Sequence, residues 1–261
     1  MLASWALSPL YFLSFGFVCG LVGFRLGWRM RSRVALPLVQ AAVGWAAFLL
    51  AWTFLGAAWA AATVAAWALG TTVASIYVFF GHAAEADARV VRATPYRAAM
   101  LTWLQAAGAS ESGAAATVGQ HLREAIWYTA AAMATANFGS MAMGAVLLNY
   151  MNAYVATLLR AGTNTRTVLL LAWNVWSVVR VAGYIAIGAA AAAPMLRFSG
   201  WHGDVRAVPA LALAGAAGVV LDLVLKLALS PWCGRALAGA IDLDAAKANR
   251  SSEAPSTLHL E

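Results

Sequence analysis

The stretch from Val34 to Ala84, VALPLVQAAVGWAAFLLAWTFLGAAWAAATVAAWALGTTVASIYVFFGHAA, holds no Asp, Glu, Lys or Arg, and its length decides the fold class. Lipid offers backbone N–H and C=O groups no partner, so a segment that crosses it must be a complete helix of about 20 apolar residues. The run accommodates two such helices, 36–56 and 60–81, with a tight reversal near Gly56 to Ala60. Working outward, residues 1–24 are also uncharged and end at Arg25, Arg29, Arg31 and Arg33, which sets a first span at 8–28. The positive flank follows the apolar run, the reverse of a cleaved signal peptide. In the other direction, Ala125–Leu159 is uncharged, Thr167–Leu196 carries one charge and Ala207–Gly234 carries two, giving spans four, five and six.

Composition agrees with this division. Of 261 residues, 63% are of apolar type and 10% are charged, against roughly 25% charged in a soluble domain. A water-soluble domain is excluded, and the lipid bilayer is the implied partner. The net charge of +7 does not imply a nucleic-acid partner, because the basic residues sit in short flanks that orient spans. Cys19 and Cys233 form neither a disulfide framework nor a metal knuckle. His82, His121, His202 and His259 lack zinc-ligand spacing, and no strand-helix frame surrounds a nucleophile, so no enzyme, cofactor or metal is expected.

The fold class that follows is an all-α, polytopic transmembrane helix bundle of six spans, or seven if the apolar piece at 98–118 crosses. That piece sits in a polar loop at about 82–124 that holds Glu85, Asp87, Arg89, Arg92, Arg97, Glu111 and the stretch GASESG. Hydropathy favours six spans. The positive-inside rule favours seven, because Arg160, Arg166, Arg235, Lys247 and Arg250 then join the Arg-rich side. Both counts set the N-terminus on the non-cytoplasmic side and leave the C-terminal side open. Residues 1–234 form the bundle, and 235–261 is expected as a polar, disordered tail in which Asn249-Arg-Ser has the form of a glycosylation sequon.

Within the spans, Gly16, Gly20, Gly23 and Gly27 recur at spacings of four, three and four and share one helix face, a packing stripe for a helix of the same chain or for a homodimer or membrane complex. Trp45, Trp52 and Trp59 recur every seven residues. Trp5, Trp28, Trp201 and Trp232 lie at span ends, where indole anchors to the interface. Trp52 lies deeper, either as apolar bulk or as an aromatic wall able to hold a cation.

Three charges fall inside spans, Arg180, Asp222 and Lys226, each costing about 2.5–3.5 kcal/mol unless paired or hydrated. Counted from the connecting loop, Arg180 and Asp222 lie about 24 and about 21 Å along consecutive antiparallel helices, nearly level. Lys226 stands one turn beyond Asp222, so Asp222 can reach both cations. The arrangement reads either as a structural ion pair or as a site for an anion or zwitterion. Asn149, Asn152 and Tyr154 in span four read as interhelical hydrogen-bond glue or as a polar solute path. The Asp-to-Lys spacing in LDLVLK also occurs in the retinal-binding helix of microbial rhodopsins, but the order of charged elements here does not fit that arrangement.

Asn137-FGSMAMGAVLL, LNYMNAYVAT at 148–157, Asn174 to Val181 with Arg180-Val181, and AIDLDAAKAN resemble, in this order, segments of the choline transporter-like family. The resemblance covers about a third of the chain, and the family is longer, with a wider interval between the first two segments. It implies movement of choline, a related amine or a lipid precursor, with Trp52 as a cation contact. The expected function is therefore a transporter or channel for a small-molecule solute, with Arg180, Asp222, Lys226, Asn149, Asn152, Tyr154 and Trp52 as its path. The alternative is a non-transporting subunit or scaffold of a membrane complex.

Overall fold

A computed structural model describes residues 8–106 and 114–248. Trp5, GASESG with Glu111, the Asn249 sequon, His259 and the tail from residue 249 lie outside the described residues. The helices are α1 (Pro9–Arg29), α2 (Ala35–Leu55), α3 (Ala57–Gly81), α4 (Ala83–Arg89), α5 (Ala93–Gln105), α6 (Ala114–Ala134), α7 (Phe138–Arg160), α8 (Thr165–Leu171), α9 (Val175–Phe198), α10 (Val208–Ala238) and α11 (Leu243–Ala248). Among the described residues six segments are long and apolar enough to cross a membrane: α1, α2, α3, α7, α8 with α9, and α10. The chain is an all-α, multi-pass membrane bundle.

Local chemistry sets the helix boundaries. Pro9 opens α1, and the Ser8 hydroxyl accepts the Tyr11 N–H at 3.3 Å, satisfying one donor that a helix start leaves orphaned. The reversal between α2 and α3 needs only Gly56, whose φ of +82° is open to glycine at little cost. The Ala57 N–H then donates to the Asp204 carbonyl at 2.9 Å, so a loop from the far end of the sequence caps α3.

The α1 glycine stripe is consumed inside the chain. Gly16 and Gly20 lie against Thr63, Trp67, Gly70 and Thr71 of α3, and Gly23 and Gly27 against Gln40, Val43 and Leu36 of α2. A second small-residue seam joins α9 to α10, where Gly183 meets Gly215 and Gly218 backbone to backbone. Outward faces are apolar; on α10, Leu213, Val220, Val224 and Leu227 are exposed and suit lipid.

Several sequence expectations need correction. The uncharged run 125–159 is not one helix: the chain breaks at Thr135–Asn137, with Ala136 at φ +50° and Asn137 at φ +77°. Left-handed backbone at a non-glycine residue costs about 1–2 kcal/mol. Hydrogen bonds from Trp45 Nε1 to the Ala136 carbonyl (2.8 Å) and from the Asn137 N–H to the Ala132 carbonyl (2.9 Å) offset that cost. The turn folds α6 back along α7, with Ala131 beside Gly139 and Tyr128 beside Gly144. The described residues within 82–124 are mostly helical, forming α4, α5 and the first half of α6. Of the piece at 98–118, the described residues divide between α5, which ends at Gln105, and the start of α6, the helix that enters the bundle. The helix of span five is interrupted at 172–174, which divides it into α8 and α9, while the segment as a whole stays long and apolar enough to cross. The tail folds as far as Ala248, with Leu237, Ile241 and Ala246 buried.

The hairpin fixes the direction of every later helix. Arg160 at the end of α7 donates to the Phe79 carbonyl at the end of α3 (2.6 Å), Arg33 donates to the Ala88 carbonyl (2.5 Å), and Ile241 pairs with Gly162. One end of the bundle therefore gathers Arg29, Arg31, Arg33, Arg89, Arg160 and Arg235. The opposite end holds Gly56, Asp204 and the loop with Arg197 and Arg206. With α6 counted, seven long helices among the described residues alternate between the ends.

Candidate functional site

In the Arg-rich half, α5, α6, α7, α9 and α10 surround a cavity of about 690 Å³. Among the described residues its charged lining is Arg92, Arg180 and Lys226 with one carboxylate, Glu124, and His121 beside them. Rings face it from three helices: Tyr96 and Trp103 of α5, Tyr150 of α7 and Trp176 of α9. Tyr96 and Tyr150 pack with centroids 4.5 Å apart, and Trp103 meets Trp176 edge-on at 6.3 Å. Burial pushes the Tyr96 phenol well above its ordinary range, so it is a neutral hydrogen-bonding wall.

Helix packing places the charges. The backbone approach of Gly183 to Gly215 and Gly218 brings α9 and α10 close enough for Arg180, one turn from Gly183, to meet Asp222, one turn from Gly218. Arg180 Nε donates to Asp222 Oδ2 at 2.8 Å, and its NH2 group donates to Oδ1 at 3.2 Å. Fork geometry of this kind is the strong form of an ion pair. Asp222 is fully buried, whereas the Arg180 side chain keeps 17% of its exposure toward the cavity. His121 of α6 completes a cluster, with Nε2 at 2.7 Å from the Arg180 NH2 group and 3.1 Å from Asp222 Oδ2.

The residues singled out in the sequence separate into two groups. Arg180, Asp222 and Lys226 come together at the cavity, with Asp222 beneath its floor. Asp222 pairs with Arg180 and His121; no ion pair joins it to Lys226, which lines the cavity. Asn149, Asn152, Tyr154 and Trp52 lie elsewhere. Asn149 exchanges two hydrogen bonds with Gln40 of α2, at 2.7 and 3.2 Å, and Asn152 donates to Ser75 of α3 at 2.6 Å. Both hold α7 against its neighbours in the dry core. Tyr154 is buried behind Tyr96, ring edge to ring face at 5.9 Å. Trp52 is fully buried near the opposite end against Phe48 and Gly203, and has no open ring face.

Sequence reasoning missed His121, Glu124, Trp103 and Trp176. Two signals could have found them. His121 and Glu124 stand three apart in QHLRE, on one face of a helix. Trp176 and Arg180 stand four apart in NVWSVVR, which points both the same way. Reading 82–124 as a loop hid the first signal.

No protein-family model, curated protein or solved structure matches the chain. Class and site therefore rest on physical grounds: a multi-pass helical membrane protein with a cationic, ring-lined cavity in its Arg-rich half.

Proposed function

We propose that the protein is a membrane carrier or channel for a small solute, and that the solute is an anion or a zwitterion. The carrying observation is the cavity itself. A scaffold gains nothing from a cavity of about 690 Å³ that keeps Arg92, Arg180 and Lys226 on its walls, because intramembrane cations are costly unless they meet water or a counter-charge. A carboxylate, sulfonate or phosphate would supply that counter-charge, while Tyr96, Trp103, Tyr150 and Trp176 would cover the apolar part of the same molecule. A free amine such as choline is less well supported: the rings suit a cation, but three cations against Glu124 oppose one. A zwitterion such as betaine would use both features, which keeps the choline transporter-like resemblance in its related-amine form. By the positive-inside rule the Arg-rich end is cytoplasmic, which sets the N-terminus outside, the C-terminal end inside, and the cavity in the inner half.

Purified protein in lipid vesicles tests this reading with three labelled probes: benzoate, betaine and choline. Benzoate or betaine is expected to bind and to exchange across the membrane, with Lys226→Gln lowering affinity about tenfold, as loss of one charge-assisted contact does. Trp103→Ala and Trp176→Ala are expected to weaken binding, while Trp52→Ala changes stability alone. Selective uptake of choline would overturn the anion assignment. Absence of binding for all three, with folded protein, would favour the scaffold reading.

A further inference from the structure

The cluster beneath the cavity holds one nitrogen with two claims on it. His121 Nε2 stands 2.7 Å from the Arg180 NH2 group and 3.1 Å from Asp222 Oδ2. A ring nitrogen carries either a lone pair or a proton along one in-plane direction, so it accepts from Arg180 or donates to Asp222, never both. In the neutral tautomer that carries its proton on Nδ1, Nε2 accepts from Arg180, and the guanidinium is held between His121 and Asp222. When a proton binds Nε2, a new N–H bond forms at the lone pair, the bond from Arg180 is lost, and the N–H turns to Asp222 Oδ2. Asp222 then has two cations for one charge, and Arg180, the partner with exposure to the cavity, is the one free to turn into it. We infer that His121 is a binding site for a transported proton, and that proton and solute anion are taken up together.

The inference rests on the carrier reading and adds its coupling ion. Charge bookkeeping gives the direction. Arg180, Asp222 and neutral His121 sum to zero, and the proton raises the cluster to +1, which favours an anion above it and disfavours a cation. By linkage, an anion in the cavity strengthens proton binding by the same factor. The charged groups that line the cavity around the ring are Glu124, three residues along α6, Lys226 of α10 and Arg92 before α5. The phenols Tyr96 of α5 and Tyr150 of α7 line the same cavity, and a phenol, with an ordinary pKa of about 10, carries no charge between about pH 5.5 and about pH 8. Asp222 has no exposure, so the proton must arrive through the cavity.

Benzoate binding to the whole protein in detergent or nanodiscs, followed at about pH 5.5 and about pH 8, tests the site. The unmodified protein is expected to bind about tenfold more tightly at the lower pH, a coupling in the usual range. His121→Gln is expected to bind at both with affinities within about twofold of each other, and Glu124→Gln to keep the pH dependence. Should the dependence survive in His121→Gln, or vanish in Glu124→Gln instead, the proton site is wrong and the anion site stands. Should benzoate bind nothing at either pH, the anion site falls and this inference falls with it. A second measurement covers poor folding of His121→Gln: adding benzoate to the unmodified protein in weak buffer near neutral pH must draw protons from solution, and no uptake would overturn the proposal.

Discussion

Gln40 and Asn149 face each other across the α2–α7 seam, trade two hydrogen bonds and are buried to 0% and 2% exposure. Arg180 and Asp222 face each other across the α9–α10 seam, also bonded twice, but at the edge of a large cavity. Both pairs solve the problem of polar groups in lipid, and the α9–α10 seam rests on small residues that let its backbones close. The difference lies in what remains over. The first pair satisfies itself and leaves no surface for anything else, whereas the second leaves Arg180 partly open and shares Asp222 with His121. It is the unspent charge that marks one half as a candidate site and the other as its frame.

The comparison breaks most visibly at Asp222. Asp222→Asn removes the only buried carboxylate from a cluster holding Arg180, and loss of one partner of a buried pair costs about 3 kcal/mol. Thermal unfolding in detergent should show a large fall, against almost none for Arg206→Gln at an exposed position; equal falls would refute the pairing. Next comes the frame. A Cβ at Gly20 would collide with the Trp67 carbonyl oxygen and lie 2.6 Å from the Thr71 nitrogen, so Gly20→Ala must part α1 from α3, at about 2 kcal/mol. Gly119→Ala on α6 meets nothing within 4 Å and should be neutral by the same melting measurement.

These two glycines also show how far the sequence could be read. The spacing of Gly16, Gly20, Gly23 and Gly27 was enough to locate a packing face, because helical period converts directly into geometry. The three apolar runs before Gly81 set α1, α2 and α3 almost to the residue, since lipid imposes one length on each. The break at Thr135–Asn137 was not legible. It has no Gly or Pro, and its left-handed residues are held by Trp45, ninety-one positions from Ala136. Everything downstream of that turn, including the end of the bundle on which Arg160 and Arg235 lie, depends on it. The charges of the candidate site were legible because charge is rare in lipid; their cavity was not, since α5 and α6 are too polar to stand out as spans.

A finer test separates the self-satisfied pair from the open one. Gln40→Leu and Asn149→Leu each strand a buried amide and should cost about 1–2 kcal/mol, while the double substitution should cost less than their sum, because an apolar pair leaves nothing unsatisfied. Additive losses in a double-mutant cycle would show that the two amides do not depend on each other. The smallest effect belongs to the exposed loop at the opposite end. The Arg206 guanidinium and backbone N–H hold the Asp204 carboxyl down at about 2. A carboxyl lowered on folding stabilises above its ordinary range and loses that contribution as pH falls toward about 2. Acidification should therefore lower the melting temperature slightly more in the unmodified protein than in Asp204→Asn, and added salt should shrink the difference.

The folded-back pair α6 and α7 has a consequence for how the chain is made. Gln120, His121, Arg123 and Glu124 lie close together on α6, and each full charge at mid-bilayer adds about 2.5–3.5 kcal/mol to the transfer of a single helix from the insertion machinery. α7, with no charge before Arg160, carries no such penalty, and the turn at Thr135–Asn137 joins the two with three residues. α6 therefore enters lipid as cargo of α7, the two partitioning together as a preformed hairpin, and the cavity walls reach the membrane only once that joint entry is complete.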